Sequence, residues 1–132
     1  MPSIERIEPK SEITHYNVPK TCQELRQSLM RLEHWNTETD GALTEAAFRD
    51  KLLALGYDVF HYVYPPGTYF PDHTHEVDKI DAILSGRFQM AIEGKTIILE
   101  AGDYLFVPKA TVHSAEVIGN EPVVSLDAVK AR

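Results

Sequence analysis

The spacing of apolar positions changes character near Gly56. Ahead of it the pattern is helical. Thr21 followed by Glu24 forms a capping box, and Leu25, Leu29 and Leu32 then fall on one stripe, which predicts a helix through those residues. Asn36 to Gly41 is a polar break. Thr44 is placed to cap a second helix in which Phe48, Leu52 and Leu55 share a face, with Gly56 as its C-terminal stop. Met1 to Pro19 is polar and irregular, an arm free to pack on the domain or on a partner subunit.

After Gly56 the period shortens and turn residues recur. Val59–Tyr64 is rich in β-branched and aromatic residues and stops at Pro65-Pro66-Gly67. Val77–Leu84 and Arg87–Ile92 flank Ser85-Gly86, which reads as a hairpin signal. Thr96–Leu99, Tyr104–Val107, Val112–Ile118 and Val123–Val129 follow, separated by Glu93-Gly94-Lys95, Ala101-Gly102-Asp103, a break at Pro108 and Gly119-Asn120-Glu121-Pro122. Short strands at regular spacing predict an antiparallel sandwich or barrel. The expected organisation is one structural domain, with residues 1–56 as an arm and helical extension and residues 57–132 as an all-β barrel.

Composition narrows the function classes. The chain of 132 residues carries 20 acidic and 13 basic side chains, a formal charge of −7. So acidic a chain is a poor counterion for phosphate, which argues against nucleic-acid binding. No apolar run is long enough for a membrane span, and Met1–Lys10 lacks the apolar core of a secretion signal. The single cysteine, Cys22, excludes an intrachain disulfide and a cysteine-based zinc site. These features give the expectation of a cytoplasmic protein.

Three of the six histidines lie at turn–strand junctions of the β region: His73, His75 and His113. The i, i+2 spacing of His73 and His75 puts both imidazoles on one face of an extended strand. Two same-face histidines and a distant third match the ligand supply of a non-haem metal site.

The surrounding residues resemble the two motifs of the cupin superfamily. The first reads Gly67, five residues, His73-Thr74-His75, three residues, Lys79, six residues, Gly86. The second reads Gly102, five residues, Pro108-Lys109-Ala110, two residues, His113. The spacing agrees at each fixed point from Gly67 to His113, and the flanking strands extend the likeness to about residues 56–129. The resemblance implies a double-stranded β-helix, or jelly-roll barrel, often dimeric, holding a metal or small ligand inside.

Three positions depart from the family pattern. Ala110 replaces a glycine, Val117 stands where an asparagine is usual, and Lys79 occupies the position of the glutamate ligand. A protonated ammonium cannot coordinate a cation. Two readings follow: a three-histidine centre, or no metal centre. Counting by two places Lys79, Asp81 and Ile83 on one face of their strand and Ile80, Ala82 and Leu84 on the other. The family's glutamate position faces inward, so Lys79 and Asp81 are expected inside the barrel, paired with each other, gripping a polar ligand, or with Asp81 helping to hold the metal.

On the metal reading, His73, His75 and His113 hold iron, manganese, nickel or zinc, and the resemblance then allows dioxygenase, isomerase or lyase chemistry on a small organic acid or sugar. On the alternative, the chain is a metal-free binding or sensing protein that uses Lys79 and Asp81, with the histidines as hydrogen-bond partners. His61 is a candidate for the shell around the histidines, or a core residue. Tyr69 and Tyr104, which flank the motifs, are candidates for the pocket wall. The expected partners are a small-molecule ligand and a second copy of the chain; the Ile80, Ala82 and Leu84 face is available for that copy or for the helices.

Overall fold

Residues 30–131 are described by the computed structural model, and the folded unit is built from two antiparallel sheets. The elements in chain order are β1 (Arg31–His34), α1 (Thr37–Asp40), α2 (Glu45–Ala54), β2 (Tyr57–Tyr64), β3 (Tyr69–His73), β4 (Lys79–Ser85), β5 (Arg87–Ile92), β6 (Lys95–Leu99), β7 (Asp103–Val107), β8 (His113–Ile118) and β9 (Val123–Lys130). One sheet has the order β1-β7-β4-β9-β2 and the other β3-β8-β5-β6. From β2 to β9 the chain passes from one sheet to the other at every connection except the β5–β6 hairpin, which gives the double-stranded β-helix.

Strict alternation along the five-stranded sheet separates two cores. Ile83 of β4, Leu105 and Val107 of β7 and Val123 of β9 point between the sheets, where they meet Phe88, Met90 and Ile92. Ile80 and Ala82 of β4, Tyr104 of β7 and Leu126 and Ala128 of β9 point the other way and are covered by Phe48 and Leu52 of α2. The even-numbered face of β4 is therefore taken up by the helix. Leu84 packs partly buried against the same cluster.

The second helix forms as its sequence signals suggest. The Thr44 side chain accepts a hydrogen bond from the Ala47 N–H at 3.1 Å, and Phe48 and Leu52 are fully buried. Leu55, read as part of that buried face, is instead exposed at the C-cap. The polar break after Asn36 contains a single helical turn, α1, capped by the Asn36 side chain.

Two local readings are corrected. The leucine stripe ran through Leu32, but Arg31–His34 is an edge strand paired with β7, so long-range pairing overrides the local helical period there. Its earlier part, Thr21 to Leu29, lies outside the described residues, as do the arm and Cys22. Ser85-Gly86 is not a hairpin, since β4 and β5 belong to different sheets. It is a corner. Gly86 has φ +86°, and a Cβ there would lie 2.3 Å from the Pro122 carbonyl oxygen, so the chain needs glycine to turn at that point. A true two-residue hairpin joins β5 to β6 at Glu93-Gly94, both with positive φ.

Candidate metal centre

The three histidines come together through strand register. His73, the last residue of β3, lies directly opposite His113, the first of β8. Cross-strand neighbours on one face must touch, and these imidazole centroids are 4.2 Å apart. A register shift between Phe70 and His73 marks a bulge. It explains how two residues three apart both face the cavity, whereas strict alternation would send one out. His75 lies just past β3. Its carbonyl accepts a hydrogen bond from the Ala110 N–H at 2.8 Å, which ties it to the loop before β8. Ala110, at the motif's glycine position, has φ 63° to make that contact.

Hydrogen bonding fixes the imidazoles. His73 Nδ1 lies 2.7 Å from the Pro71 carbonyl oxygen and His113 Nδ1 lies 2.8 Å from that of Thr111. A carbonyl can only accept, so each Nδ1 carries a proton, and in the neutral imidazole Nε2 is then the atom with the lone pair. His75 Nε2 is buried with no hydrogen-bond partner among the described residues. One ligand nitrogen from each residue lies within 4.8 Å of the others. Burial pushes the His75 imidazole down to about 4, and the nearby Lys79 ammonium adds to the effect. Burial also lowers His113. Both shifts favour the neutral imidazole at His75 and His113, and the orphaned His75 nitrogen beside the other two shows that the donor set fits a cation.

A cavity of about 350 Å³ opens over the histidines. Lys79, Asp81 and Asp127 form its polar wall, and Tyr62, Tyr64, Phe70, Phe88 and Met90 line the rest. The Lys79–Asp81 ion pair expected from the spacing is not formed. Lys79 Nζ instead lies 2.7 Å from Asp127 Oδ1. Asp81 and Asp127 are cross-strand partners in the β4–β9 register, so the two carboxyls share one face. Asp127 therefore sits diagonally across from Lys79, within reach of its long stem. Burial raises the Asp81 carboxyl well above the usual carboxylate value, and Asp127 raises it further, against the opposing pull of Lys79.

Asp127 was not singled out from the sequence. Its signal was a lone acid on the Val123, Ser125, Asp127, Val129 face of an otherwise apolar strand.

Three residues suggested for the site lie elsewhere. His61 shares its face of β2 with Val59, on the helix side, 3.7 Å from Glu45 Oε1. The inward side chains of β2 are Tyr62 and Tyr64. Tyr104 is one residue out of phase with the cavity and packs edge-on against Phe48. Tyr69 precedes the bulge and is 59% exposed, while its neighbour Phe70 lines the cavity.

Comparison with known proteins places these features in context. The model of the Cupin domain family matches residues 60–129. A cupin protein from Bacteroides fragilis is 31% identical over 63% of this chain and 73% of its own, with a TM-score of 0.50. An uncharacterized conserved protein with a double-stranded beta-helix domain from Klebsiella pneumoniae is 25% identical over 57% of this chain and 67% of its own, with a TM-score of 0.50. A predicted oxalate decarboxylase from Thermotoga maritima is 24% identical over 78% of this chain and 81% of its own, with a TM-score of 0.52, and shares the fold. A search of curated proteins gave no significant match.

Proposed function

The chain belongs to the cupin family, and on that premise we propose that it is a metal-binding cupin whose His73, His75 and His113 hold a divalent first-row metal beside a small organic ligand. The observation that carries this reading is the buried, unpartnered Nε2 of His75, set beside two histidines whose Nδ1 protons are already engaged. A bound ion would supply Lewis-acid polarisation of a ligand oxygen or a water. The chain's own residues do the rest. Pro71 and Thr111 carbonyls orient two imidazoles, the aromatic wall limits water, and Lys79 offers N–H donors not used by Asp127.

Elemental analysis of protein purified without chelator or nickel resin tests the reading. Near-stoichiometric iron, manganese, nickel or zinc is expected, lost in His75→Ala and in His113→Ala. A protein that is empty as isolated and takes up none of these ions on addition would favour the second reading, a metal-free ligand-binding cupin. That reading draws support from the Lys79–Asp127 pair, which stands where the family places a carboxylate ligand.

We also propose a homodimer. The edge strand β2, unpaired among the described residues, exposes Phe60 on one face and Val63 on the other, apolar groups flanking an edge that a second copy would cover. Light scattering at micromolar concentration should give twice the chain mass, and a monomer mass would refute it.

A further inference from the structure

The cavity has two chemically distinct ends. At one, Tyr64 stacks on Phe88 at 5.7 Å and 20° and meets Phe70 edge-on at 5.0 Å, and Tyr62 stacks on Tyr64 at 5.9 Å. Apart from the Tyr62 and Tyr64 hydroxyls, the faces of these four rings offer no hydrogen bond, so ligand hydroxyls set against those faces would lose water without replacement. At the other end lie the three histidines with Lys79, Asp127 and Asp81. A volume of about 350 Å³ is at the small end of ligand sites.

Charge decides what the polar end accepts. The histidines are neutral ligands, and the glutamate that would cancel one charge of a divalent ion is replaced by Lys79. Asp127 is held by Lys79 and is thereby withdrawn from that role. Asp81 is buried opposite Asp127 and hydrogen-bonded to it, and two adjacent buried carboxyls cannot both ionise, so Asp81 adds no second negative charge. The ammonium keeps N–H groups beyond the one spent on Asp127. The polar end therefore presents donors and no uncommitted negative charge.

We infer that this cavity takes a small, flat, ring-bearing organic acid, its ring against Tyr62, Tyr64, Phe70 and Phe88 and its carboxylate between the histidines and Lys79. The inference rests on the cavity being the functional site proposed above. It narrows the ligand to aromatic or otherwise planar acids, apart from sugars and open-chain polyols.

Calorimetric titration of the full chain with four probes tests it: benzoate, cyclohexanecarboxylate, benzyl alcohol and gluconate. Benzoate should bind tightest. Benzyl alcohol, without the charge, and gluconate, without the ring, should each bind at least about tenfold more weakly, and cyclohexanecarboxylate, which has no π face to set against the aromatic rings, should fall between. Lys79→Met should weaken benzoate about tenfold while leaving benzyl alcohol unchanged. Tyr62→Ala, at the exposed rim where folding is not at stake, should weaken benzoate and cyclohexanecarboxylate but not gluconate. Gluconate binding as tightly as benzoate, or no binding of any probe, would overturn the inference. The metal reading fails separately. A metal-retaining protein that ignores benzoate sinks this inference alone, whereas Lys79-dependent benzoate binding by protein that takes up no metal sinks only the metal centre.

Discussion

At the scale of single residues, the centre depends on groups held in states they would not adopt in water. Lys79 and Asp127 are mostly buried and matched at 2.7 Å. Asp127→Asn would leave the ammonium without its counter-charge and should cost about 2 kcal/mol or more in a urea melt. Asp81 has the opposite character. Its folded carboxyl is raised to about 7, so it costs nothing below the unfolded value of 3.8, destabilises the protein increasingly as pH rises from there to the folded value, and costs a constant amount above it. Asp81→Asn should therefore raise the melting temperature at neutral and alkaline pH, with the gain vanishing near pH 4. Ala110 holds a left-handed φ of 63°, a conformation that costs an L-residue about 1 kcal/mol, so Ala110→Gly should leave stability unchanged or raise it by up to about that amount. The histidines set a second pH limit. With His75 pushed down to about 4, the chelated protein should lose stability as pH falls from 6.5 toward 4, because the unfolded chain takes up that proton first. Thermal melts across that range check the sign.

At the scale of elements, corners and bulges position the site more than strand interiors do. The β3 bulge brings Phe70 and His73 to the same side, and the Gly86 corner moves the chain from the sheet carrying Lys79 and Asp81 to the sheet carrying Phe88 and Met90. Gly86→Ala combines a strained φ with a collision against the Pro122 carbonyl and should cost about 2–5 kcal/mol by denaturant titration. The same alternation that made β4 legible explains why Tyr104 was misplaced. Proximity to a motif does not fix which face of a strand a residue takes; phase does.

At the scale of the whole molecule, one sheet serves two cores. Its inner face carries the cavity, and its outer face is sealed by α2 through Phe48 and Leu52. Leu52→Ala should destabilise the protein by about 2–5 kcal/mol while leaving metal content unchanged, since Leu52 belongs to the outer cluster and lines no part of the cavity. Loss of metal in a Leu52→Ala protein that remains folded would show that the two cores are coupled across the sheet.

The sequence alone determined what depends on spacing along one chain. Helix caps, strand periods, the His73-Thr74-His75 pair and the inward phase of Lys79 and Asp81 all follow from local geometry, which repeats every 3.6 or 2 residues. Only the tertiary structure decided which strands became neighbours. That choice turned Arg31–His34 into an edge strand, made Ser85-Gly86 a corner, sent His61 toward the helix, and gave Lys79 an aspartate 48 positions away in place of one two positions away. The physical reason is that the burial of charge is satisfied across strands, by register, and register belongs to the assembled sheet and not to any one segment of it.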